Sequence, residues 1–273
     1  MSEQPPEKPG PSLTIRGRED SQRVPWTARQ TLQGVLLTLV PWIGFNLLLQ
    51  GAAGNQALTR PLSFEADLGA AVLQIVFATL IEGAFLIAPF YYASKTLHLP
   101  QPRPSRRAVR EVLGLRGFPP GRTLPLIVGL LVLIIAANLL YAYAITALHL
   151  RLMTNDQVVL QESTFAPISV YAILASSVLI APLCEEIFFR GFLLPGLLHE
   201  FSAPWALLIS SLLFAVAHAD LGSFAPLFAI GLCLGFLRLR TGSTWASLSL
   251  HMLNNLLSSL SIVLAMHNIT APF

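Results

Sequence analysis

Charge is scarce in this chain. Only 11% of its 273 residues are charged, 54% are hydrophobic and the mean hydropathy is +0.64, whereas soluble domains carry roughly 25% charged residues. That balance excludes an ordinary soluble domain and places the chain among polytopic membrane proteins. Cysteine is nearly absent. Cys184 and Cys233 both lie inside apolar runs, which excludes a disulfide framework and leaves two structural thiols. No basic, aromatic-interleaved patch is present, so nucleic acid is not an expected partner. There is no internal repeat. The first apolar run begins near Thr31 and lacks a small-x-small cleavage site after a short core, so it is expected to remain as a span.

Residues 1–25 are rich in Pro, Glu, Arg and Ser and lack apolar periodicity. They read as a disordered cytoplasmic tail, with Trp26 as an interface marker. Residues 26–273 read as one transmembrane helical domain. Its apolar runs fall at about 30–50, 68–92, 124–148, from 168 onward, 203–218, 224–239 and 245–266, where about 20 residues suffice to cross hydrocarbon. The expected fold is therefore all-α, a polytopic transmembrane helical bundle of about seven spans, with six or eight also compatible. Five Lys/Arg precede the first span, one lies in the first loop, seven in the second and one in the third. This alternation puts the N-terminus and the second loop in the cytoplasm of a cell (inner) membrane protein. The second loop, QPRPSRRAVREVLGLRGFPPGR, is a topology determinant whose middle could form a basic amphipathic helix on the anionic leaflet.

Ionisable groups inside apolar runs mark functional sites by default. In Pro182-Leu-Cys-Glu-Glu-Ile-Phe-Phe-Arg-Gly, the adjacent Glu185 and Glu186 point about 100° apart on a helix. Glu186 and Arg190 are four apart and can pair on one face, leaving Glu185 free to face a cavity. Phe214 and His218 share a face in the same way, as do His251 and Asn255. A lone His on an apolar helix is usually a satisfied core residue, and His251 with Asn255 could simply join helices. Depth changes that reading. Glu185 and His218 are equidistant from the polar break at Phe201-Ser202, so a hairpin turning there sets both about 25 Å from the turn. This requires a helix from about 168 to 200, tilted or kinked at Pro182 or Pro195. A buried carboxylate with an imidazole can take a proton from water, and His251 with Asn255 can donate to an oxyanion. Asn254 is a weaker candidate for that role.

Glu-Glu-x-x-x-Arg (185–190), Phe-x-x-x-His (214–218) and His-x-x-x-Asn (251–255), in this order, resemble the CPBP intramembrane protease family. This family includes type II CAAX prenyl endopeptidases and lysostaphin-resistance-protein-A-like bacterial proteins. The strings Glu185-Glu186-Ile-Phe-Phe-Arg-Gly-Phe-Leu, Ser210-Ser211-Leu-Leu-Phe-Ala-Val-Ala-His and Leu239-Arg-Thr-Gly-Ser-Thr-Trp strengthen the likeness, which covers about 165–258. The resemblance implies an intramembrane endopeptidase in which Glu185 and His218 activate water and His251 and Asn255 form the oxyanion hole. Glu186, Arg190 and Phe214 are supporting residues.

Glu185, His218 and His251 could also supply three ligands to Zn²⁺. No His-Glu-x-x-His helix is present, and a metal-free Glu/His mechanism is the favoured reading. The expected partners are membrane lipids and a membrane-associated peptide or protein substrate, prenylated or not. Glu82 and Asn138 are also intramembrane. Glu82 could pair with Arg190, hydrogen-bond Asn138 or line the cavity, and its expected role is structural. Asn46 is a further polar residue within a span. Gly231 and Gly235 form a close-packing Gly-x-x-x-Gly. Two other classes use the same pocket: an inactive scaffold, and a proton-coupled transporter with Glu82, Glu185 and the histidines as a relay. The transporter lacks the repeat symmetry such folds show.

Overall fold

A computed structural model describes residues 24–53, 61–96 and 105–267. The tail at 1–23, the site of most of the basic residues before the first span, lies outside the described residues. Among the described residues the chain is all-helical. Six helices are long and apolar enough to cross a membrane, and a seventh, shorter apolar helix joins them.

Helix α1 is Ala28–Ala53, and α2 (Phe64–Gly83) runs through a tight turn at Ala84–Leu86 into α3 (Ile87–Thr96). The short α4 (Arg106–Val112) precedes α5 (Pro120–Ala147), and α6 (Asn155–Glu162) precedes α7 (Pro167–Glu186). A π-helical stretch, Ile187–Leu193, then leads into α8 (Leu194–Leu197). After a turn come α9 (Ala203–Ala217), α10 (Phe224–Thr241) and α11 (Thr244–Met266).

The hydrophobicity is distributed for lipid rather than water. Leu37, Leu48, Leu80, Ile87, Leu140 and Tyr143 are exposed on the outside of the bundle, a pattern an integral membrane protein requires. Aromatic rings fill the centre: Phe85, Phe188, Phe189, Phe192 and Phe214 are all buried. Trp26 corrects one expectation. It is fully buried, with its ring centroid 5.2 Å from that of Phe192, so it anchors the start of α1 to the core instead of marking an interface. Gly231 meets α9 closely: a Cβ there would lie 3.1 Å from Ser211 Cα, which is the close approach that small residues permit.

Two polar ties brace the bundle. Asp67 on α2 is buried, and its Oδ2 accepts from Ile168 N–H at 2.8 Å. Its Oδ1 accepts from Ser169 N–H at 2.9 Å and Ser169 Oγ–H at 2.6 Å. One carboxylate of α2 thereby caps the free amides at the start of α7. The second loop supplies the other tie. Helix α4 does form and leaves Arg106, Arg107 and Arg110 outward-facing, while Val109, Leu113 and Leu115 enter the core. Thr244 N–H donates to Gly114 O at 2.8 Å, and Thr244 Oγ–H to Leu113 O at 2.7 Å. The loop is thus clamped to the α10–α11 turn.

Candidate active site

The paired acids close α7. The following π stretch shifts the hydrogen-bond register: Leu194 N–H bonds to Phe189 O, five residues back. Pro195 has no N–H to continue that pattern to Arg190 O. Arg238 Nε–H fills the gap, donating to Arg190 O at 3.1 Å. The sequence predicts a tilt or kink at Pro182 or Pro195. The structure extends it over 187–193, directly after the acids. This widening is common beside functional sites.

Glu186 Oε1 accepts from Arg190 Nη1 at 2.8 Å, and neither side chain is exposed. Arg190 Nη2 also donates to Gly231 O at 3.2 Å, and its guanidinium carbon sits 4.4 Å from the Phe214 ring centroid. Phe214 in turn packs against both imidazoles, with centroids 4.8 Å from His218 and 5.7 Å from His251. Glu186, Arg190 and Phe214 thus form the wall behind the two histidines.

His218 is the last residue of its helix turn. Its Nδ1 lies 2.8 Å from Phe214 O, so Nδ1 carries the proton and Nε2 faces away from the helix. That Nε2 stands 3.9 Å from Glu185 Oε1. The α8–α9 turn at 198–202 therefore does bring the two residues to one depth. Ala219, just after, holds φ of 50°, a left-handed conformation that costs a non-glycine residue about 1 kcal/mol or more. It stops the helix at the imidazole.

His251 enters from α11. Its Nδ1 is 3.1 Å from Glu186 Oε1, and its Nε2 is 3.9 Å from Glu185 Oε2. One carboxylate orients the ring and the other lies before it. Asn255 is placed differently. Its Nδ2 donates to Ser177 O at 2.8 Å, and its Oδ1 accepts from Asn254 Nδ2 at 3.1 Å. Ser177 is about 12 Å along α7 from Glu185, at 1.5 Å per residue. The structure thus gathers Glu185, Glu186, Arg190, Phe214, His218 and His251, and leaves Asn255 one turn along, bound to a backbone carbonyl. An amide on an apolar helix face seeks such an acceptor.

The fixed Nδ1–H groups leave both Nε2 atoms as lone pairs, the tautomer that metal ligands need. The spacing does not follow. Among the described residues no group of three or more His, Cys, Asp or Glu is arranged to hold a metal ion. Glu185, His218 and His251 as placed here do not fit one.

Glu82 makes neither of the bonds anticipated for it. It is buried, its Oε2 has no hydrogen-bond partner among the described residues, and the same holds for Asn138 Oδ1. Arg190 is engaged with Glu186 and Gly231 instead. Asp67 is a structural contact beyond the residues singled out from the sequence, although an acidic residue in the first turn of an apolar helix is a visible signal for one.

Comparison with known proteins gives two matches, each to part of the chain. Residues 167–257 match the family model described as type II CAAX prenyl endopeptidase Rce1-like. A protein of Bacillus subtilis (strain 168) named "Putative membrane peptidase YdiL" is 33% identical over 101 residues, 37% of this chain and 40% of that protein. The chain thus matches well under half the length of that relative. No solved structure matches. Both matches are to proteins described as peptidases, and the family match spans the segment that holds Glu185, His218 and His251.

Proposed function

We propose that the chain is an intramembrane endopeptidase that hydrolyses a peptide bond of a membrane-associated protein or peptide. The observation that carries this reading is the Glu185 carboxylate, 10% exposed, with an imidazole Nε2 at 3.9 Å from each of its oxygens. That separation is too long for a direct hydrogen bond and suits groups bridged through a small molecule such as water. Glu185 takes a proton from this water, and His218 Nε2 orients it as a second acceptor. The water oxygen bonds to the scissile carbonyl carbon, and the carbonyl oxygen becomes an oxyanion. His251, held by Glu186, takes its second proton from solvent before the water attacks and returns it after the intermediate collapses; in between it donates Nε2–H to that oxyanion. Asn255, bound to Ser177 O, holds α11 against α7 and so supports the position of His251.

Substrate access fits the same end of the bundle. An apolar cavity of about 580 Å³ lies between α1 and α2–α3, lined by Trp42, Phe45, Phe85, Tyr91 and neighbours. Trp42 on its wall donates from Nε1 to Ala217 O at 2.8 Å, next to His218. An apolar portion of a membrane-associated substrate would occupy it, with or without a prenyl group. The chain is read as residing in the cell (inner) membrane with its N-terminus cytoplasmic, on the alternation of basic residues between loops.

Glu185→Gln and His218→Ala, each produced in membranes at parental level, test the assignment. Loss of cleavage by both supports it; parental cleavage by both refutes it. Exhaustive chelation tests the metal alternative: cleavage that survives with no metal in the purified protein excludes it.

A further inference from the structure

Peptide hydrolysis needs a proton given as well as a proton taken, because the departing nitrogen must leave as an amine. The groups around Glu185 are arranged as acceptors. His218 directs its Nδ1–H to Phe214 O, and His251 directs its own to Glu186. Neutral His218 then presents a lone pair at Nε2, and the Nε2–H that His251 acquires is committed to the oxyanion. Glu185 serves as the base, and Glu186 is held by Arg190. Asn255 can hydrogen-bond but is not an acid. The site functions fully only if an additional proton is stored in it.

Glu82 has the properties of that store. It sits at the end of α2, which packs along α7 beside the acids. It is only 9% exposed, and its Oε2 has no partner among the described residues. Asp67 bonds to Ile168 and Ser169 where the two packed helices begin, and at the same rise along both Glu82 comes level with Leu183 and Cys184, next to Glu185. The other charged groups facing this space are Glu186, Arg190 and Arg238, with His218 and His251 as the titratable rings. Arg190 is engaged by Glu186, and Arg238 donates to Arg190 O. A second ionised carboxylate beside Glu185, buried and without a donor, is strongly disfavoured. Two carboxyls in one such pocket share a proton.

We infer that Glu82 is a further catalytic residue, a carboxylic acid that protonates the leaving nitrogen while Glu185 acts on the water. This rests on the protease reading above. Glu185 receives one proton from water as the C–O bond forms. The tetrahedral intermediate collapses, the C–N bond breaks with its electron pair going to nitrogen, and the Glu82 O–H proton transfers to that nitrogen. The proton on Glu185 then passes to Glu82, restoring one proton on the pair. The sum is one water and one amide converted to one acid and one amine.

The test combines two readouts on the full-length chain. In liposomes, infrared spectroscopy at neutral pH reads the carbonyl band of a protonated carboxylic acid. In cells, terminal proteomics of native membranes reads cleavage. Glu82→Gln should remove the infrared band and lower cleavage on the order of 100-fold or more. Glu82→Asp, which keeps an acid, should retain the band and part of the cleavage. Glu185→Gln should abolish cleavage while the Glu82 band persists. A band unchanged in Glu82→Gln, or cleavage by that variant at the parental rate while Glu185→Gln is inactive, overturns the inference and leaves the protease reading standing. Parental cleavage by Glu185→Gln overturns both.

Discussion

Glu186→Ala isolates the physics of the wall behind the site. The substitution removes the carboxylate that, among the described residues, is bonded to Arg190, whose side chain has no solvent exposure. Arg190 keeps its bond to Gly231 O and the face of Phe214, and its Nε already lacks a partner. Removing one member of a buried ion pair costs about 3–5 kcal/mol, and an arginine at mid-membrane about 2.5–3.5 kcal/mol on insertion scales. The contacts that survive place the expected loss near the low end, about 3 kcal/mol, or roughly 100-fold in the folding equilibrium. The double variant Glu186→Leu with Arg190→Leu removes both charges and should recover most of that loss. It should still not cleave, because His251 Nδ1 has lost its acceptor. Reversible denaturation in mixed micelles measures the stabilities, and terminal proteomics the cleavage. A Glu186→Ala variant within 1 kcal/mol of the parent refutes the reasoning, as does a double variant as unstable as the single one.

Other consequences can be checked alongside. Asp67→Ala removes three hydrogen bonds that close the start of α7 and should destabilise by about 2–3 kcal/mol, from charged bonds of about 1.5–3 kcal/mol each that are not additive; equal stability in the same denaturation assay would contradict it. Ala219→Gly relieves the left-handed residue after His218 and should stabilise by about 1 kcal/mol; no gain in denaturation midpoint would show that the turn is unstrained. Removal of divalent metal by exhaustive chelation should leave cleavage intact, and its loss with recovery on zinc addition would favour the metal reading.

Much of this molecule was legible in the chain because lipid imposes a coarse rule. Runs of about 20 apolar residues mark spans whatever their packing, so helices such as Pro120–Ala147 and Thr244–Met266 fall where hydropathy puts them. The hairpin that joins Glu185 to His218 followed from depth alone. Finer features depend on contacts between distant segments. The π stretch at 187–193 shifts a hydrogen-bond register by one residue and leaves no mark in hydropathy. Trp26 resembles an interface anchor until Phe192 is set against it. Asn255 and His251 share a helix face, yet only the neighbouring α7 decides that one meets Ser177 and the other Glu186. Glu82 was visible as a costly residue, and the absence of a partner for its Oε2 among the described residues was not.

The most direct measurement compares protein termini in native membranes carrying the parent chain with those carrying Glu185→Gln. The expected result is a set of new termini on membrane-associated proteins, present with the parent and absent with the variant at equal abundance. Identical termini in the two membranes would contradict hydrolysis at this carboxylate.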